Sequence, residues 1–238
     1  MNTPPPLHTE PNRSPFVIEP METPVTFLSV IENLLKKPGR LLHECTQSGP
    51  DVPWRLGLTA LACLAIFGLL LGTFSGGVQL WAAPLKVSLG MGTALLICLP
   101  SLYVFSALGG IDARLGQITV LLLLMAGLTG LLLVGFAPVA WVFSQSTDSI
   151  GFMGFLTLTF WLISLGFGAK LLFKAADGLQ AGSRGYLSLW WSIFLVVTLQ
   201  MSTSLRPIIG TADTLLPTEK RFFIEHWMDT MSLTADAR

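Results

Sequence analysis

Hydrophobic and polar positions segregate along this chain in blocks of tens of residues. Residues 83–143 set the pattern: a long apolar run, a short polar break and a second long apolar run. The break at 109–117 holds Asp112 and Arg114, and Lys86 is the only other charge in the stretch. Each arm exceeds the roughly 20 residues that cross about 30 Å of hydrocarbon at about 1.5 Å per residue. The pair predicts a helical hairpin that crosses a membrane and returns.

The same pattern recurs before and after the hairpin. Spans are predicted at about 56–74, 84–108, 118–143, 150–173 and 187–205. Trp54 and Arg55, Trp81, Trp141, and Tyr186 with Trp190-Trp191 mark belt-level ends. Trp161 alone falls well inside a span, where core packing is expected. Gly68, Gly72 and Gly76 recur every four residues, a small-residue stripe that lets another helix approach closely. Residues 75–82 read as a short exposed turn. Lys86, near the start of the second span, is expected to snorkel to the headgroups, and Pro100 is expected to kink that span. The fold class is therefore all-α: a polytopic membrane protein with a bundle of about five transmembrane helices in residues 54–206.

Flanking segments differ in character. Residues 1–24 are proline-rich and polar, and predict a disordered tail without the apolar core of a secretory signal peptide. In 25–37, Phe27, Val30, Ile31, Leu34 and Leu35 recur at helical spacing opposite Ser29, Glu32 and Asn33. This amphipathic helix is expected to end at Pro38-Gly39 and to lie in the membrane interface. Lys36, Lys37 and Arg40 would then sit near lipid phosphates. Arg40 to Glu44 reads as a second short turn. In the tail at 207–238, Phe222, Phe223, Ile224, Trp227, Met228 and Met231 predict a second interfacial helix after Pro217.

Composition sharpens the class. Hydrophobic residues make up 52% of the 238 and charged residues 12%, against about 25% charged in a soluble domain. Mean hydropathy is +0.66. Net charge is zero, with no basic excess for nucleic acid. Basic residues near the spans collect on one side as Lys36, Lys37, Arg40, Arg55, Arg114, Lys170, Lys174 and Arg184. The other side receives Lys86, Arg206, Lys220 and Arg221. The positive-inside rule makes the first side cytoplasmic, with the N-terminus inside and the C-terminus outside.

Candidate chemistry is sparse. No predicted span contains Asp or Glu, which counts against proton-coupled transport. His8, His43 and His226 all lie outside the spans, and the three scattered cysteines form neither a disulfide framework nor a metal pattern. Neither a metal nor a cofactor is expected. Cys45, just before the first span, is a candidate for palmitoylation. Gly72-Thr73-Phe74-Ser75-Gly76 lacks the G-x-S-x-G spacing and has no histidine to activate Ser75. The main polar constellation ends the fifth span. Thr198, Ser202 and Arg206 share a helix face, and Gln200, Thr203 and Ser204 widen it. It predicts either an interfacial anchor or a polar groove for a lipid headgroup or partner segment. Asp112 and Arg114 read as a solvated turn.

With its five spans and its lead-in Leu34-Leu35-Lys36-Lys37-Pro38-Gly39, the layout over roughly 27–210 resembles the Yip (Ypt-interacting protein) family and its bacterial relatives. The resemblance implies a membrane-organising role. The Asp-Leu-Tyr-Gly-Pro motif of the eukaryotic members is absent, so their Rab-type partners are not implied. Residues 25–39 locally resemble the WASP-homology-2 motif, which implies actin binding. The expected function is a non-enzymatic scaffold in a bacterial inner membrane, touching the lipid bilayer and a protein partner or a second copy. A small transporter or channel component is the alternative.

Overall fold

The computed structural model describes residues 18–21, 24–47, 51–147, 149–179 and 184–204, with side chains omitted for 45–47 and 202–204. These residues are all-helical: α1 (Phe27–Lys36), α2 (Pro38–Gln47), α3 (Asp51–Ser75), α4 (Gln79–Leu108), α5 (Leu115–Ser146), α6 (Ile150–Gly178) and α7 (Arg184–Ser204). Four of them, α3 to α6, are long and apolar enough to cross a membrane. The predicted disordered tail, the surface helix after Pro217 and Arg206 lie outside the described residues, apart from 18–21 and 24 of the tail.

α5 is the axis of the bundle. Val120, Leu121, Leu124, Met125, Ala126, Leu133 and Ala140 are fully buried along it. It packs extensively against α3 on one side and α6 on another, while α4 packs on α3 and α7 on α4. Helices approach closely where a side chain is missing. A Cβ on Gly130 would lie 3.0 Å from Cys63 Cβ in α3, and one on Gly168 would lie 2.8 Å from the Met125 carbonyl oxygen in α5. In lipid no hydrophobic force favours helix on helix over helix on acyl chain, so such close backbone packing supplies the attraction.

The turns are short. Gly76 and Gly77 have φ of 68° and 54°, values that favour glycine. The carbonyls of Gly76, Gly77 and Val78 accept from the N–H groups of residues 79–82. α4 therefore starts at Gln79, within the segment read as an exposed turn, although Trp81 is exposed as expected. Between α4 and α5, Gly110 takes φ 81°, Ile111 is buried, and Asp112 and Arg114 are exposed. Gln117 Oε1 accepts from the Arg114 N–H and caps α5.

The segment before the bundle is more structured than one amphipathic helix. Thr26 and Ser29 cap α1 reciprocally, each side-chain oxygen accepting from the other's backbone N–H at 3.2 and 2.8 Å. Pro38 does not end the helical path. It opens α2, a full ten-residue helix, at the position where its missing N–H costs nothing. α1 and α2 pack against α3 and α5, and Val30, Leu34, Leu41 and Leu42 join the common core.

Candidate functional site

α7 carries Thr198 and Gln200 of the polar constellation, and Thr198 is turned into the bundle. Leu187, Trp190, Phe194 and Thr198 form one buried stripe at three- and four-residue spacing, and α4 is the main helix packed against α7. Thr198 is the last of the four, and its hydroxyl donates 2.7 Å to the Phe194 carbonyl, inside its own helix. Gln200 is half-buried, nearly on the opposite side of the helix from Thr198. Ser202 and Thr203 continue the helix, their side chains lying outside the described set, as does Arg206. Of the five candidate groove residues, Thr198 is thus a packing residue.

The stripe is anchored at Trp190. Its indole N–H points at the Cys98 carbonyl oxygen, 3.2 Å away, and at Ser101 Oγ, 3.1 Å away. Ser101 Oγ in turn donates to Cys98 O at 2.8 Å. Pro100 sits between these two partners in the middle of α4, on the exposed side, and the helix runs through it to Leu108. Trp190 had read as a belt residue from its place at the head of the span. Its buried position is visible in retrospect as the i, i+4, i+8 series with Phe194 and Thr198. Trp161, expected in the core, is only partly buried against it.

The glycine stripe divides. A Cβ on Gly72 would fall 2.7 Å from the Gln79 carbonyl oxygen, and one on Gly68 would fall 2.7 Å from Pro84 Cα. Both lie where the α3 and α4 backbones touch. Gly76 is not part of that contact; nothing lies within 4 Å of its Cβ position, and its role is the positive-φ turn.

Among the basic residues before the bundle, Lys36 Nζ pairs with Glu32 across one helical turn at 2.9 Å. This charge and hydrogen bond hold the Glu32 carboxyl below its ordinary pKa of 4.5. Arg40 Nη2 lies 3.7 Å from Glu19 Oε2, and Glu44 Oε1 accepts from the Met21 N–H. These contacts tie residues 19–21 to α2. Lys37 is exposed. Arg40 is therefore engaged by a carboxylate of the chain itself, not simply displayed for lipid phosphate.

Lys86 departs most from its expected setting. It had been expected to snorkel, yet its side chain is 4% exposed. α4 starts earlier than predicted, so Lys86 is two turns inside the helix and on the same face as Gln79. Gln79 is 3% exposed, and its Oε1 accepts no hydrogen bond.

Among the described residues no three His, Cys, Asp or Glu side chains gather where a metal could bind. Cys63 and Cys98 are buried free thiols. No family model, curated protein or solved structure matches this chain.

Proposed function

We propose that this chain is an integral protein of a bacterial inner membrane that organises a partner complex and catalyses no reaction. Its α7 forms a fifth span, its N-terminus is cytoplasmic and its C-terminus lies outside. The observation that carries the organiser reading is the close packing of the helices. α3, α4, α5 and α6 meet through backbone contact at Gly68, Gly72, Gly130 and Gly168. Most of their shared core is apolar, and the Thr129 hydroxyl in it is turned onto the Met125 carbonyl at 2.8 Å. A solute path needs polar groups facing one another across a gap; the described interior offers side chains in contact instead.

Recognition then falls to the ends. α1 buries Val30 and Leu34 against the bundle and leaves Leu28 and Leu35 exposed beside the Glu32–Lys36 pair. That division suits a helix half on protein and half in the interface. The lead-in before a short-looped bundle, shared in outline with the Yip family, supports the same role. Actin binding is less well served, because the Val30–Leu34 face it would need is occupied by the chain's own core.

Purification through an N-terminal tag in a lipid-preserving medium tests the proposal. A protein recovered at near-equal stoichiometry is the expected result. Recovery of the chain alone, together with solute flux in liposomes that depends on Thr198 or Gln200, would replace the organiser with a transporter.

A further inference from the structure

A charge on the lipid-facing side of a membrane helix needs a partner that the chain or the bilayer supplies. α6, long and apolar enough to span, carries two such charges. Ile163, Phe167, Lys170 and Lys174 are all exposed. They recur at four-, three- and four-residue spacing, so they share one helix face. The buried Leu165, Gly168 and Leu172 lie on the other side, and Gly168 meets Met125 of α5, the main helix against which α6 packs. The stripe is therefore turned away from the bundle.

Depth makes the two lysines unequal. The 29 residues of α6 measure about 44 Å at 1.5 Å per residue, close to the full bilayer at about 40–45 Å, of which about 30 Å is hydrocarbon. Lys174 stands about 6 Å from the Gly178 end, at the edge of the hydrocarbon, and Lys170 about 12 Å from it, inside. Lys170 Nζ leans further in, over the Phe167 ring, 5.0 Å from its centroid. That contact uses its charge and none of its hydrogen-bond donors. The ordinary relief is to snorkel back to the headgroups. Here that brings Lys170 beside Lys174, one turn on, and like charges at this spacing repel.

The chain does not neutralise the pair. Asp177 is on the same face, three residues past Lys174, but Arg184 holds both its oxygens, at 3.0 Å from Nε and 2.5 Å from Nη2. Among the described residues no carboxylate pairs with either lysine. Two ammoniums one turn apart, at the head of an apolar stripe, call for an anion that arrives with hydrocarbon attached.

We propose that the Lys170–Lys174 face of α6 is a headgroup site for an anionic phospholipid, whose acyl chains lie along Phe167 and Ile163. A phosphate between the two ammoniums cancels their repulsion and accepts from both. A phosphoglycerol headgroup suits them better than phosphocholine, whose own ammonium competes for the phosphate. The site rests on α6 crossing a bilayer and not on any protein partner, so failure to recover a partner leaves it standing.

The test uses the full-length protein in neutral detergent, titrated with short-chain phosphatidylglycerol, phosphatidylcholine or inorganic phosphate and read by native mass spectrometry. Phosphatidylglycerol is expected to bind more tightly than the choline lipid. Lys170→Gln with Lys174→Gln should weaken it by about tenfold or more, as for loss of charge-assisted hydrogen bonds, and bring it level with choline. Lys170→Arg with Lys174→Arg keeps both charges and should retain the preference. Lys36→Gln with Lys37→Gln removes two exposed charges elsewhere and should leave it intact. Arg184→Gln frees Asp177 to pair with Lys174 and should weaken the anionic lipid, and adding Asp177→Asn should restore it. These last two variants carry the test should the glutamine pair fail to fold. Undiminished binding by the glutamine pair or by Arg184→Gln, an equal loss in the Lys36 and Lys37 variant, or displacement of the lipid by inorganic phosphate at equal concentration overturns the proposal.

Discussion

Trp190 of α7 reaches across to α4 and gives its indole N–H to the Cys98 carbonyl, 3.2 Å away, with Ser101 Oγ at 3.1 Å. The indole is fully buried, so the link joins the two helices out of reach of solvent. Trp190→Phe keeps most of the apolar surface and removes the N–H, so it should cost about 1 kcal/mol. Trp190→Ala also empties the space beside Phe194, whose ring stacks at 5.2 Å, and should cost about 3–5 kcal/mol. Unfolding by denaturing detergent in mixed micelles measures both. Equal costs for the two variants would mean that the N–H carries the whole interaction.

That link also shows where the sequence stops being informative. The helices themselves were legible, because apolar runs between Gly, Pro and charge breaks leave few choices. α3 to α6 fall on the predicted spans with ends extended by at most five residues. Which side of each helix meets protein was not legible. In a soluble protein polar positions mark the outside, but here lipid and core are both apolar. Trp190 and Trp191 are adjacent and alike, yet only the first is fully buried. Lys86 was misplaced for a related reason: the 76–78 turn is tighter than its glycine content alone disclosed. The α2 helix was missed because Pro38-Gly39 serves equally as a stop or a start. Of the candidate groove, spacing could not say that Thr198 is buried.

Gly72 and Gly76 should respond to alanine for different reasons. At Gly72 the new methyl meets the Gln79 carbonyl at 2.7 Å, and backbone cannot swing aside. Gly72→Ala should push α3 and α4 apart and cost about 1–3 kcal/mol. At Gly76 there is space but a φ of 68°, which costs a non-glycine residue about 1–2 kcal/mol. Gly76→Asn should recover part of that loss, since asparagine tolerates this conformation, whereas Gly72→Asn should be worse than alanine. Gly135, with nothing within 4 Å of its Cβ position, is the control that alanine should leave stable. The same denaturation assay reads all five.

Leu34 and Leu35 are neighbours with opposite surroundings, 2% and 59% exposed. A Cβ on Gly127 would lie 2.9 Å from Leu34 Cδ2, so α1 is seated directly on α5. Leu34→Ala should destabilise the protein by about 2–5 kcal/mol. Leu35→Ala should stay within about 0.5 kcal/mol. Leu28→Ser with Leu35→Ser should still fold, and should lower lipid cross-linking from α1 if that face lies in the interface. Unchanged cross-linking would place the face in water or on a partner.

The Glu32–Lys36 pair on the same helix sets a small pH dependence. The folded carboxyl titrates below its ordinary value of 4.5 because Lys36 bonds to it and attracts its charge. A depressed folded pKa contributes stability that is fully present above the unfolded pKa and is lost as pH falls through the folded one. α1 should therefore loosen slightly below about pH 4.5, and Glu32→Gln should remove that part of the response. Both partners are exposed, so salt should screen the effect. Hydrogen exchange of α1 amides at pH 3.5 and 6 gives the comparison. A response of unchanged size in Glu32→Gln would assign it to another group.

The fifth span is the architectural question on which orientation turns. α7 has 21 residues, about 31 Å at 1.5 Å per residue, just enough for the hydrocarbon core. α7 packs on α4, and its buried stripe from Leu187 to Thr198 takes up twelve residues, eleven steps or about 17 Å at the same rise, which places it beside a span for much of its length. With Cys45 replaced by serine and Cys63 and Cys98 buried, single new cysteines report sidedness to an impermeant maleimide in intact cells. Gln145→Cys, exposed at the end of α5, should react, and Asp112→Cys in the opposite turn should react only after lysis. Those two set the orientation of α5 whatever α7 does. Arg238→Cys then decides the count: labelling from outside means that α7 crosses, while protection until lysis means that the chain crosses four times and both termini are cytoplasmic. Reaction at Asp112 and protection at Gln145 would invert the whole assignment.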